Sequence, residues 1–232
     1  MPIIRLILVA LVTVYFTIKE LWMLTFSSRI DTRMYVGWSR ALNKIIGIEI
    51  EIEGIENIKA NQSYIFVCNH SSLLDIPVLL GTLPGDVRII YKRELEKIPI
   101  FGYGLKRSNL ISIDRSDPRK AMKSLDEAID KIQAGASVII FPEGTRDSGS
   151  EVGEFKRGGF LIAEKALTPI IPIAVSGTYD LLPAGKLILK PGKVRISIMP
   201  KIDVKAMDRS ELKGLKENVR NKIVEELAKI SK

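Results

Sequence analysis

From Ile48 the chain adopts strict two-residue alternation, IEIEIEG, a period that no helix shares. Ile48, Ile50 and Ile52 are expected to face a core, and Glu49, Glu51 and Glu53 to face water. Six further apolar runs of strand length follow: SYIFVC, DVRIIY, NLISI, SVIIFP, IIPIAV and VRISIMP. Helical periods separate them. Residues 117–134 carry Met122, Leu125, Ile129 and Ile132 on one face, residues 159–166 form a short helix, and residues 210–232 carry Leu212, Leu215, Val219, Ile223, Leu227 and Ile230. Strands alternating with helices predict an α/β fold, a layered domain with a largely parallel sheet flanked by helices. Pro169 and Pro172 bracket part of TPIIPIAV, which assigns that strand to an edge or to a broken start.

The segment before this pattern reads differently. Residues 6–18, LILVALVTVYFTI, carry no charge and, as a helix, span roughly 20 Å, short of the roughly 30 Å hydrocarbon core of a bilayer. Arg5 bounds the run on one side, Lys19 and Glu20 on the other, and a second apolar piece, LWMLTF, follows. No small-residue cleavage site follows the run, so a signal peptide is not expected. Placed on a helix, Arg29, Arg33, Arg40 and Lys44 fall within about a 60° arc, with Met34, Trp38, Leu42 and Ile45 at helical spacing. A basic-striped amphipathic helix of this kind suits a membrane surface. The first 48 residues hold six Lys/Arg against two acids, Glu20 and Asp31, a local net of +4. Residues 1–47 are therefore expected to form a monotopic, half-immersed helical hairpin at the cytoplasmic face of the cell membrane, and residues 48–232 the α/β domain. The alternatives are a single spanning helix and a helix pair packed on the globular domain.

Net charge is +8, which fits nucleic acid, an anionic membrane or phosphorylated small molecules as partners. The basic residues divide between the helix stripe and strand ends instead of forming one groove, and no nucleic-acid motif occurs, so no nucleic-acid partner is expected. One cysteine, Cys68, and one histidine, His70, exclude an internal disulfide and a Cys-cluster zinc site. No cofactor and no metal site are expected.

Parallel sheets place ligands at the carboxyl ends of strands, and the chemically able residues follow the strand-like runs. His70 follows YIFVC within NHSSLLD, and Asp75 lies five residues on. On one straight helix those positions differ by about 140°, so they meet only if a helix begins between them. Ser71 or Ser72 is a natural N-cap, and Pro77 is tolerated in a first turn. Asp75 then reaches back to Nδ1 of His70 and leaves Nε2 free as a base. The competing explanation is a capping box, Ser72-x-x-Asp75. The run FPEGTR offers Arg146 as a rigid fork for phosphate, with Thr145 and turn N–H groups as further donors. Lys106 and Arg107 precede NLISIDR, which ends in Arg115. Cys68 closes an apolar strand, and no Gly-x-Ser-x-Gly elbow and no phosphate-binding Gly-x4-Gly-Lys-Ser/Thr occur, so no enzyme nucleophile is evident.

Together these blocks resemble the glycerolipid acyltransferases, specifically the lysophosphatidic acid acyltransferases, over roughly residues 50–200. HSSLLD matches the family's His-x4-Asp, FPEGTR matches in full, FKRGG follows at the expected distance, and PIIPI is its Pro-flanked strand. KRELEKIPIFGYG resembles the stretch before the second motif, where Asn109 and Ser112 stand in place of the usual Gly and aromatic and Arg115 is retained. Asn109 tolerates the positive φ that the Gly would supply. The resemblance implies transfer of a fatty acyl group from an acyl thioester to the sn-2 hydroxyl of 1-acylglycerol-3-phosphate, with acyl-coenzyme A or acyl carrier protein as donor, lysophosphatidic acid as acceptor, and an anionic membrane surface as the setting. It implies His70 as general base, Asp75 as its orienting acid, Arg115, Arg146, Thr145 and Lys106 as phosphate ligands, and Glu143 and Gly144 as shapers of that pocket. Glycerol-3-phosphate or a lysophospholipid as acceptor, and a non-catalytic membrane-binding module, are the rival readings.

Overall fold

The computed structural model describes residues 2–26, 32–99, 101–114, 117–146 and 151–231. In chain order its elements are α1 (Pro2–Phe26), α2 (Arg33–Ile46), β1 (Ile48–Glu53), β2 (Ile65–Cys68), α3 (Asp75–Thr82), β3 (Val87–Lys92), α4 (Phe101–Arg107), β4 (Ile111–Ile113), α5 (Pro118–Gln133), β5 (Ser137–Ile140), α6 (Gly158–Ala166), β6 (Ile170–Ser176), α7 (Thr178–Leu181), β7 (Gly192–Ile198) and α8 (Arg209–Ile230). The strands form one sheet in the order β1-β7-β6-β2-β5-β3-β4. Only the β6–β7 pair is antiparallel.

Both faces of the sheet are covered, and strand alternation divides the core in two. In β2 and the residue before it, Tyr64, Phe66 and Cys68 point towards α3 and the end of α2, while Ile65 and Val67 join the side chains of α5, α6 and α8 on the other face. Full burial of each such apolar side chain contributes about 1.5–3 kcal/mol. The periodic helices behave as their spacing dictates. Leu125, Ile129 and Ile132 of α5 pack with Leu215, Val219 and Ile223 of α8, although Met122 at the start of α5 is left exposed. Asp117 caps α5, and Asp208 with Glu211 forms a reciprocal capping box on α8.

Two strand expectations are corrected. Ile48 and Ile50 pack against the core, but Ile52 is 42% exposed because β1 is the sheet edge and little covers its far end. β6, expected at an edge or with a broken start, lies inside the sheet between β7 and β2 and begins directly after Pro169. Pro172 is tolerated there because its carbonyl accepts from the N–H of Met199, so its missing donor also points at the last rung of the β6–β7 ladder. The pairing with β2 loses nothing.

The N-terminal segment is one continuous helix, where two apolar pieces were expected. At 25 residues α1 is about 37 Å long, and Ile3–Phe26 is long and apolar enough to cross a membrane by length and composition. Glu20 does not interrupt it, because its Oε1 accepts from the Tyr35 hydroxyl of α2 at 2.9 Å. Trp38 Nε1 donates to Thr13 Oγ1 at 3.2 Å, a second tie between the two helices. Ile3, Ile7, Leu11, Ile18 and Trp22 leave the outer face of α1 apolar and exposed. α2 starts at Arg33 and lies on α3, where Ser39 and Gly81 let the backbones approach closely. Arg33, Arg40 and Lys44 of the basic stripe are exposed; Arg29 and Asp31 lie outside the described residues.

Candidate active site

The carboxyl ends of β2, β5 and β6, adjacent in the sheet, bring the site together. At the end of β2 the Asn69 amide bonds the Val175 backbone twice, Nδ2 to the carbonyl and Oδ1 from the N–H, both at 2.9 Å. This clamp fixes where the chain leaves the sheet. His70 comes next and stacks on Phe141, the first residue after β5, with ring centroids 4.1 Å apart. Its Nδ1 lies 2.8 Å from Asp75 Oδ2.

A helix does begin between the two residues, as their angular offset required: α3 starts at Asp75 itself, with Pro77 in its first turn. Leu74, just before α3, already has helical φ and ψ and makes no side-chain cap bond, while Ser72 Oγ accepts from the Leu74 N–H at 3.2 Å, so the expected serine cap is present at Ser72. The return bond is made as well. Asp75 Oδ2 accepts from the N–H groups of Ser71 and Ser72 at 2.9 Å each, and the Ser72 hydroxyl donates to the Leu182 carbonyl. Ser72 and Asp75 therefore exchange bonds as in a capping box, and the same carboxylate also serves His70. Asp75 Oδ1 accepts from the Thr178 hydroxyl at 2.5 Å. A fully buried carboxylate facing only donors assigns the imidazole proton to Nδ1. Nε2 has no hydrogen-bond partner among the described residues, and His70 is a wall residue of the cavity in front of it.

That cavity measures about 1200 Å³. Most of its wall is apolar, running from Leu6, Val9 and Phe16 of α1 past Trp38 to Leu73 and Ile76 beside His70. Its polar lining residues include Thr145 and Arg146, both exposed, on the loop after β5. Gly144 takes φ +75° there, closing the turn in which its N–H donates to the Phe141 carbonyl. Glu143 is buried and turned inward: Oε1 accepts from the His70 N–H at 2.7 Å and Oε2 from the Gly153 N–H at 3.1 Å. It ties the His70 loop to the β5 loop and to the strap that follows.

Lys106 is not brought to this wall. It lines a neighbouring polar pocket of about 300 Å³ with Arg93 and Lys131, which shares Tyr91, Leu105 and Leu110 with the first cavity. Arg115 lies outside the described residues. Asn109 keeps a negative φ, and the bend there is tied by Ser108, whose hydroxyl donates to the Leu105 carbonyl and accepts from the Leu110 N–H. Lys92 and Lys156 join Arg146 along the cavity wall, and sequence reasoning named neither. Both flank recognisable blocks, Lys92 at the end of a strand and Lys156 within FKRGG, so position alone carried a signal. Thr178 and Asn69 were also missed, since each acts on a segment more than a hundred residues away in the chain.

Cys68 supplies no nucleophile. It is fully buried, and its thiol is pushed well above the ordinary range, first by burial and then by the carboxylates of Asp75 and Glu143. Among the described residues no three His, Cys, Asp or Glu side chains gather where they could hold one metal ion. The arrangement is a histidine whose Nε2 has no partner among the described residues, bonded to a buried carboxylate, in the wall of a largely apolar cavity that also carries Lys92, Arg146 and Lys156.

The chain as a whole is similar to known proteins. An acyltransferase family model matches residues 49–176, more than half of the chain. A chloroplastic 1-acyl-sn-glycerol-3-phosphate acyltransferase of Brassica napus is 35% identical over 183 residues, covering 78% of this chain and 52% of that protein. The alpha form of the human 1-acyl-sn-glycerol-3-phosphate acyltransferase is 29% identical over 81% of this chain and 66% of its own. The chain spans about half the length of the plant relatives it matches. The crystal structure of the 1-acyl-sn-glycerophosphate acyltransferase PlsC from Thermotoga maritima superposes with a TM-score of 0.78 at 32% identity, over 98% of both chains. Motif order, sheet topology and these matches agree, and the chain belongs to the acyltransferase family.

Proposed function

We propose that this chain transfers a fatty acyl group from an acyl thioester to the sn-2 hydroxyl of 1-acylglycerol-3-phosphate, making phosphatidic acid. The observation that carries the reading is the His70–Asp75 pair at 2.8 Å, with His70 in the wall of a largely apolar cavity that also carries Lys92, Arg146 and Lys156. The names of the relatives, all acyltransferases of this acceptor, support the same substrate. In this mechanism the acceptor hydroxyl lies against Nε2, which takes its proton as the oxygen attacks the thioester carbonyl. Backbone N–H groups of the loops around His70 and Glu143 meet the oxyanion. Collapse of the tetrahedral intermediate breaks the C–S bond, and His70 returns the proton to the departing thiolate. Asp75 holds the imidazole in one tautomer and stabilises the imidazolium that forms between the two proton transfers.

Arg146 and Thr145, joined by Arg115, hold the acceptor phosphate, with Arg146 giving a two-pronged contact. Gly144 shapes this loop, and Glu143 fixes it relative to His70. The donor is acyl-coenzyme A or acyl carrier protein. Residues 1–47 face the membrane and residues 48–232 form the catalytic domain. The exposed apolar side of α1 lies in the bilayer as a monotopic element on the cytoplasmic face, and the stripe of Arg33, Arg40 and Lys44 meets anionic headgroups. Lipid acceptor and product then reach the cavity without crossing water.

The test is acyl transfer to 1-acylglycerol-3-phosphate, glycerol-3-phosphate and a lysophospholipid, with both donor types, for the wild type and His70→Ala. Phosphatidic acid formation that His70→Ala abolishes, with vesicle binding retained, is expected. Near wild-type transfer by that variant refutes the mechanism, and preference for another acceptor refutes the substrate.

A further inference from the structure

We infer that Thr178 is a positioning residue for this reaction: its hydroxyl, held between Ser71 and Asp75, fixes the carboxylate that fixes His70. The inference rests on the general-base reading of His70 above. Thr178 is fully buried at the start of the short helix α7, outside every motif block, and 103 residues from Asp75 in the chain. Its Oγ1 lies 2.5 Å from Asp75 Oδ1 and 3.2 Å from Ser71 Oγ. A hydroxyl has one proton to give, and a carboxylate oxygen only accepts. The threonine proton therefore goes to Asp75, and the Ser71 hydroxyl donates to Thr178.

The two carboxylate oxygens then have separate duties. Oδ2 receives His70 Nδ1–H and the N–H groups of Ser71 and Ser72. Oδ1 receives Thr178. The last torsion of an aspartate is broad, so donors gathered on one oxygen leave the group free to rock. A short bond on the opposite oxygen removes that freedom and holds the Oδ2 lone pair on Nδ1–H.

The backbone behind Thr178 is rigid enough to do this. Gly177 takes φ +96°, and a Cβ there would stand 2.4 Å from the Lys193 carbonyl oxygen, so the turn is pressed against β7. The Asn69 clamp on Val175 holds the ends of β2 and β6 at fixed separation. Thr178 thus refers the acid to the sheet and not to a loop. The other charged groups around His70 are Glu143 on its backbone N–H and Lys92, Arg146 and Lys156 along the cavity, and a change at Thr178 removes none of them.

Thr178→Val exchanges the hydroxyl for a methyl of similar volume, and Thr178→Ser keeps the hydroxyl. Acyl transfer is measured for both, for the wild type and for His70→Ala. Imidazole NMR is recorded on the ¹⁵N-histidine-labelled full chain in detergent, where His70 is the only histidine. The valine variant is expected to lose about ten- to hundredfold in kcat at unchanged acceptor KM, the range for one charge-assisted hydrogen bond. Its Nδ1–H signal should shift or broaden, and serine should restore both readouts. Wild-type kcat with an unchanged imidazole signal in a folded valine variant overturns the inference. A loss that only tracks a lowered Tm, with the imidazole signal unchanged, overturns it too. Activity in His70→Ala overturns the general-base reading instead, and the imidazole signal still decides whether Thr178 orders the pair.

Discussion

Asp75→Asn separates the charge of the acid from its hydrogen bonds. The asparagine oxygen can take the Oδ2 position, where it still accepts from His70 Nδ1 and from the N–H groups of Ser71 and Ser72. Its amide then meets the Thr178 oxygen, whose proton turns away. Tautomer and fold survive; the negative charge beside the imidazolium does not. Two unit charges about 4 Å apart at an effective permittivity of about 20 attract by about 4 kcal/mol. Losing that in the transition state lowers kcat by close to a thousandfold. Acceptor KM should hold, since the phosphate contacts lie elsewhere. Asp75→Ala, by contrast, leaves four donors without their acceptor, at about 1–3 kcal/mol for each that stays buried and unpaired. It should melt well below Asp75→Asn. Initial rates against acceptor concentration and thermal melts of both variants supply the comparison. A kcat for Asp75→Asn within tenfold of wild type would show that the charge is not used. Equal melting of the two variants would refute the hydrogen-bond argument.

Three further outcomes are expected. Arg146→Ala should raise acceptor KM about tenfold or more with kcat little changed, and an unaltered KM counts against its phosphate role. Gly177→Ala should destabilise the chain by about 1–3 kcal/mol or more, because its φ of +96° and the 2.4 Å approach to the Lys193 carbonyl leave no room for a Cβ; a wild-type Tm would contradict this. Cys68, buried and with its thiol pushed up, should resist alkylation in the native chain and react only as the protein opens, so rapid native labelling would show the strand end to be accessible.

Local pattern carried the sheet and the helices that cover it. All seven strands follow runs visible in the sequence, because alternation and apolar runs are one-dimensional signals. The position of β6 was not legible: Pro169 before it and Pro172 within it allow an edge or a broken start, and only the end of the β7 ladder shows why Pro172 is harmless inside the sheet. Glu20 broke the apolar N-terminal run on paper, yet Tyr35, fifteen residues away, gives its carboxylate a hydrogen bond and the helix runs on. Within the site, His70 and Asp75 lie close enough in sequence for helix geometry to constrain them. Glu143 looked like a wall of the phosphate pocket and is bonded instead to the His70 backbone, a contact between two strand ends that spacing cannot foresee. Lys106 had the right charge but lines the neighbouring polar pocket.

The contacts that complete the catalytic pair span the chain. His70 meets Glu143 across 73 residues, Asp75 meets Thr178 across 103, and Asn69 meets Val175 across 106. Loops of that length close only after most of the sheet has assembled. The base is therefore unaligned in any species that lacks β6 or its link to β2, however much helix that species contains. During refolding, helical signal should recover before acyl transfer does, and enzymatic rate becomes a clock for the last docking event. On the proposed function, an unfinished chain is also an inactive one, and it leaves lipid acceptors untouched until its sheet is closed.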